Sequence, residues 1–92
     1  MPTKERPIDL GTRRGDRIVR AFGGDARTAR QAAGLSQARV ADALGTSRAQ
    51  VGRWERGEPP IIDLREAARL MRILGLDLAV TAYPAGSPLR DA

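Results

Sequence analysis

The chain contains no cysteine and no histidine among its 92 residues. Without cysteine there is no disulfide framework, and without either residue the common zinc-ligand sets cannot form. The loss of histidine also removes the side chain most often used as a general base near neutral pH. Aromatic residues are nearly absent too. Phe22, Trp54 and Tyr83 are the complete set, so the core has to be built from aliphatic residues. Lysine occurs once, as Lys4, and nearly all positive charge is carried by arginine. No apolar run approaches the roughly 18 residues needed for a membrane span. The first residues, "MPTKERPIDLGTRRGD", carry no apolar stretch of the signal-peptide kind. These absences lead to the expectation of one small soluble domain in the cytoplasm, with no membrane association, no metal and no cofactor.

What is present is positive charge, unevenly placed. The net charge is +5. Residues 1–57 hold twelve cations against six acids, a balance of +6, and residues 58–92 have a balance of −1. A basic front half and a near-neutral back half suit a polyanionic partner, although charge alone fits a solvated surface equally well.

Residues 1–15 contain two prolines and two glycines with little periodicity. They read as a flexible basic arm. Arg13 and Arg14 are its candidates for phosphate contact. Together with Arg17 and Arg20, they fit a DNA-reaching arm or a solubilising tail equally well.

From Asp16 a helical period begins, with Ile18, Phe22, Ala26, Ala29 and Ala33 on one face. Gly23-Gly24 interrupts it at about 1 kcal/mol per glycine relative to alanine. The segment fits one weak helix or two with a break between them. Ser36 caps a second helix, 37–44, with Val40, Ala41 and Leu44 inward. Gly45-Thr46 leaves room only for a tight turn. Ser47 caps a third helix that stops at Gly57. Pro59-Pro60 ends helical structure. Asp63 caps a fourth helix with Leu64, Ala67, Ala68, Met71 and Leu74 as its apolar stripe. In 76–83 the period changes. Leu76, Leu78, Val80 and Ala82 alternate with Asp77, Ala79, Thr81 and Tyr83, a strand pattern. No partner strand is visible, so the strand is expected either to pair with a second copy across a two-fold axis, making these four residues candidates for dimerisation, or to be the first strand of a longer protein. Residues 84–92 read as a loose tail.

The second and third helices with their glycine turn form a helix-turn-helix unit. Ala41 stands where the helices approach most closely, and Gly45 where the turn needs a left-handed residue. On a wheel of 48–56, Val51 and Trp54 point one way with Glu55 on their flank. Ala49, Gly52, Arg53 and Arg56 point the other way, flanked by Arg48 and Gln50. A helix with this basic outer face can lie in the major groove, about 12 Å wide. Trp54 is expected to anchor the core rather than stack on a base. The arginines of helix 4 lie among Asp63 and Glu66 and read as a solvated face.

The stretch "ARTARQAAGLSQARVADALGTSRAQVGRWERG", residues 26–57, resembles the lambda-repressor-like (Xre/Cro-type) helix-turn-helix family. "AGLSQ", "VADALGTS" and "VGRWERG" carry the likeness, which runs from about Ala26 to Leu76. It implies an all-α bundle of four or five helices that binds operator DNA, usually as a dimer. By position it implies base reading by Arg48, Ala49, Gln50 and Arg53. It implies phosphate contacts from Ser36, Gln37, Ser47 and Arg56. It also implies a salt bridge between Arg30 and Glu55, with Ala41, Gly45, Val51, Trp54 and Gly57 holding the motif. Two features depart from the family: Ala26 and Ala29 replace larger aliphatics, and Ala49 offers a base only its methyl group.

The reading is therefore a sequence-specific transcriptional regulator, a repressor dimer on an inverted repeat of double-stranded DNA. An antitoxin that autoregulates its operon and holds a toxin protein partner shares the same features. So do the N-terminal module of a larger protein and an interaction module with an unused DNA face. An enzyme is not expected, because no nucleophile–base pair or phosphate loop is present.

Overall fold

Three of the four helix starts are fixed by a side-chain cap. The computed structural model describes residues 6–89 and is all-α among them: α1 Pro7–Ala32, α2 Gln37–Leu44, α3 Arg48–Arg56 and α4 Leu64–Ile73. Ser36 Oγ accepts from the Arg39 amide at 3.0 Å, Ser47 Oγ from Gln50 at 3.1 Å, and Asp63 Oδ1 from Glu66 at 2.8 Å. Each bond satisfies one of the amides that a first helical turn leaves without a partner. Helices α2 and α3 both end on a left-handed glycine, Gly45 at φ 73° and Gly57 at φ 68°. That conformation is open to glycine at little steric cost.

Helix α1 differs from its sequence reading at its start. Residues 7–15, which by composition read as part of a loose arm, form its first turns. Pro7 supplies a preset φ at the first helical position. Asp9 accepts from the Arg6 amide at 3.2 Å and from Arg6 Nε at 3.0 Å, closing the helix start. The rest of the expected arm, residues 1–5, lies outside the described residues, as do residues 90–92 of the tail. At Gly23-Gly24, where one helix or two were open, α1 crosses both glycines as one helix without a break.

The core consists of Ala26 from α1, Val40, Ala41 and Leu44 from α2, Val51 and Trp54 from α3, and Leu70, Met71 and Leu74 at α4. Phe22, Ala29 and Leu35 pack against it. Helix α3 packs on α1 and α2, and α4 packs on α2. Three inward expectations are corrected, the first being Ala33, which is exposed just past the end of α1. Ile18 is 52% exposed and Leu64 65% exposed, and Leu70 takes the buried place on α4 that the apolar stripe assigns to Leu64. Ile18 and Leu64 line an apolar groove of about 290 Å³ with Phe22, Ile62, Leu78 and Val80.

The expected strand is not present. Among the described residues there is no β-structure, and 76–83 runs without regular secondary structure. Leu78 is half-buried against the core, whereas Leu76, Val80 and Ala82 are exposed. The alternating pattern fits an extended chain, but a ladder also needs a neighbouring strand and none lies in the described chain. Instead the segment is tied to α1 by its end, where Arg14 Nη2 donates to the Tyr83 hydroxyl at 3.1 Å.

Candidate nucleic-acid interface

Helix α3 is held by its inner side and its C-terminal end. Val51 and Trp54 are buried, and Ala41 is 2% exposed beside them on α2. Below the helix, Arg30 and Glu55 form a two-pronged ion pair. Arg30 Nε lies 2.6 Å from Glu55 Oε2, and Arg30 Nη2 lies 3.1 Å from Oε1. Gln37 Nε2 donates to the same Oε1 at 3.0 Å, and Arg30 Nη1 donates to the Leu35 carbonyl at 2.9 Å. One carboxylate thus joins the last turns of α1, the start of α2 and the end of α3. Burial pushes the Glu55 carboxyl up. Hydrogen bonds from Arg30 and Gln37, with the attraction of Arg30 and Arg27, outweigh burial and leave it below the usual glutamate range. The hydrogen bond to Glu55 holds the Arg30 guanidinium above its ordinary value.

Close approach at the end of α3 depends on a glycine. A Cβ placed on Gly23 would run into the Trp54 carbonyl oxygen and stand 2.7 Å from that of Glu55. Side-chain-free α1 therefore rests directly on the last carbonyls of α3. At the neighbouring Gly24 nothing lies within 4 Å of such a Cβ. The paired glycines look alike in sequence, where they register only as weak helix formers. They differ in what they face: Gly23 the last carbonyls of α3, Gly24 open space.

The outer side of α3 carries Arg48, Ala49 and Arg56 exposed, with Arg53 and Gln50 half-buried. A shallow depression of about 300 Å³ runs among Gln37, Arg48, Ala49, Gly52, Arg53 and Arg56. A second, of about 330 Å³, lies beside it among Arg30, Ser36, Gln37, Ala38 and Arg48. Gly52 departs from its outward placement on the wheel. It is buried, and a Cβ there would stand 3.2 Å from Arg56 Nη1 and 3.6 Å from Gln37 Nε2. It forms the floor over which those two side chains lie. Arg53 Nη2 donates to Gln50 Oε1 at 3.2 Å, and Gln50 Nε2 reaches the Pro60 carbonyl at 3.4 Å. Arg53 Nε is buried without a partner among the described residues. Arg56 pairs with Glu58 at 2.9 Å on the exposed rim, and Glu58 holds the Arg56 guanidinium above its ordinary value.

A family model described as a helix-turn-helix domain matches residues 21–83. The chain belongs to the helix-turn-helix domain family. No curated protein and no solved structure matches it significantly. The match spans all of α2, α3 and α4, α1 from Ala21 onward, and residues 76–83. Membership points to DNA binding, in keeping with a lambda-repressor-like helix-turn-helix.

Within this helix-turn-helix protein the expected site residues fall into separate groups. Arg48, Ala49, Gln50, Arg53 and Arg56 share the outer region of α3, with capping Ser47 at its start. Ser36 and Gln37 border it from α2. Gln37, expected at phosphate, has its amide nitrogen engaged by Glu55. Arg13 and Arg14 lie on the N-terminal half of α1, and Arg14 is turned to Tyr83 of the C-terminal segment. Sequence patterning does not mark the structural part that Gly23 and Gly52 play in the site. The available signal is glycine inside a helical period, which often has a packing reason. No helix among the described residues is long and apolar enough to cross a membrane.

Proposed function

We propose that the protein is a sequence-specific DNA-binding transcriptional regulator that lays α3 in the major groove. The observation that carries this reading is the division of α3 into two sides. Val51, Trp54 and Glu55 bind it to the domain, while Arg48, Ala49, Arg53 and Arg56 stand around an open depression. Arginine presents a fork suited to the O6 and N7 acceptors of guanine, or a charge suited to phosphate. Arg53 is the residue best held for base reading, because Gln50 fixes its guanidinium. The Ser36 and Ser47 hydroxyls and nearby amides at the starts of α2 and α3 suit phosphate contacts. Repression follows by occlusion of the operator.

Exposed apolar side chains support a homodimer on an inverted repeat. Ile18, Leu64, Leu76 and Val80 are each at least 46% exposed, and three of them line the apolar groove. Half-sites would then lie about one helical turn apart or a multiple of it. Sedimentation at tens of micromolar tests the dimer, and a lone monomer there contradicts it. Co-purification of a second polypeptide from the native host would instead favour an antitoxin with a toxin partner. DNA reading is tested by selecting bound sequences from random duplexes. Enrichment of a motif supports it, and uniform recovery opposes it.

A further inference from the structure

Helix α1 carries a basic stripe that the α3 surface does not account for. At about 100° per residue, Arg13, Arg17, Arg20 and Arg27 fall within about 80° of one another. Phe22 and Ala29 take the opposite side and pack on the core. The stripe is about 21 Å long at 1.5 Å per residue. All four arginines are exposed. Arg17, Arg20 and Arg27 form no ion pair or side-chain hydrogen bond among the described residues. On α4, by contrast, Arg69 pairs with Glu66 and Arg72 with Asp77. Two of the three α4 arginines are thus held by acids, and Arg65 alone is not. On α1 two acids are in phase with the stripe, Asp9, which pairs with Arg6 at the helix start, and Asp16, so positive charge remains in excess along Arg17, Arg20 and Arg27.

The stripe also meets the end of α3. A Cβ on Gly57, the residue after Arg56, would stand 2.8 Å from Arg20 Cγ and 3.1 Å from Arg20 Cα. Arg20 therefore touches the C-terminal end of α3 at Gly57, one residue after Arg56. Arg14 lies off this line and is engaged by Tyr83.

We infer that α1 is a second, sequence-independent DNA contact, in which Arg17, Arg20 and Arg27 follow the phosphate backbone beside the segment read by α3. The ligand is the polyphosphate strand of a duplex, which carries one charge per about 1.7 Å of axis. This inference rests on the DNA-binding reading of α3 and lengthens the footprint it implies. Through it, affinity depends on DNA flanking the recognised bases while base preference does not.

The test compares Arg17→Gln/Arg27→Gln with wild type on one selected duplex, made with and without flanking base pairs, across a salt series. Both substitutions are on exposed positions and keep good helix formers, and Arg20 stays in place over Gly57. Removing one arginine–phosphate interaction lowers the slope of log K against log salt by about 0.9. The slope of the double variant should therefore fall by about 1.8 on the long duplex. On the trimmed duplex it should match wild type, and its base preference should be unchanged. Arg72→Gln, which removes a charge far from the stripe in sequence and fold, should leave the slope unaltered. Equal slopes for the double variant and wild type on the long duplex overturn the inference and leave the α3 reading intact. An equal reduction per charge from Arg72→Gln also overturns it, by reducing the effect to net charge. If wild type binds no duplex at low salt, the α3 reading and this inference fall together.

Discussion

Replacing Gly23 by alanine sets two effects of opposite sign against each other. Alanine in a helix interior is favoured over glycine by about 1 kcal/mol. At Gly24, where a new methyl meets nothing within 4 Å, only that term acts. Gly24→Ala should raise stability by about 0.5–1 kcal/mol. At Gly23 the methyl meets the Trp54 carbonyl oxygen and stands 2.7 Å and 2.9 Å from the Glu55 carbonyl oxygen and carbon. These are backbone atoms at the end of α3, so no side-chain rotation relieves the contact. The helices must separate, and overpacking of this kind costs about 1–3 kcal/mol. Separation also pulls the Glu55 carboxylate from Arg30, on the helix that would have to move. Subtracting the helix term leaves about 0–2 kcal/mol from overpacking, and the disturbed Arg30–Glu55 pair adds to it, so Gly23→Ala should be net destabilising. For a domain of this size each kcal/mol moves Tm by about 4–8 °C. Thermal unfolding followed by circular dichroism of both variants reads the two signs directly. If Gly23→Ala melts at or above wild type, α1 does not rest on α3 as described. The positioning of the arginine surface would then need another explanation.

Four further outcomes follow from the site. Glu55→Ala leaves Arg30 as an unpaired cation with little solvent around it and should cost about 3–5 kcal/mol in urea unfolding; an unchanged midpoint removes the bridge from the account. Because the folded Glu55 carboxyl lies below its ordinary value near 4.3, its contribution is complete above that pH and is lost as pH falls through the lower folded value. Wild type should accordingly lose stability on acidification below about pH 4 more steeply than Glu55→Gln, and parallel curves would show that the carboxylate is not the titrating group. Ser47→Ala removes the cap of α3 and should cost about 1 kcal/mol, read as a lower Tm. Arg53→Ala should weaken binding to the preferred duplex by about 1–3 kcal/mol and relax preference at one base position, whereas an equal loss on random DNA assigns Arg53 to phosphate.

The local rules of helix formation make α2, α3 and α4 legible in sequence. Ser36, Ser47 and Asp63 are caps, Gly45 and Gly57 are stops, and each of these acts within one turn of its own position. The two sides of α3 are legible for the same reason, since helical phase is a property of short sequence. Legibility ends where distant parts meet. The start of α1 is hidden in a stretch of prolines, glycines and arginines, where Pro7 and Asp9 act as helix-starting residues. Gly23 looks like a weak point and serves as a contact, because only the placement of α3 shows what a methyl would strike. Gly52 has outward phase, yet Gln37 and Arg56 lie over it. The alternation of Leu76, Leu78, Val80 and Ala82 suggests a strand, but pairing depends on a neighbour that this pattern cannot supply.

The central claim is that the α3 surface reads bases, with Arg53 as a principal reader. Selection of bound sequences from a random duplex pool, run side by side with wild type and Arg53→Ala, tests it most directly. Wild type should enrich one motif with two-fold related half-sites, and Arg53→Ala should lose preference at one position per half-site while keeping the others. Recovery of no motif by wild type, or the same motif with undiminished preference from both proteins, would contradict the account.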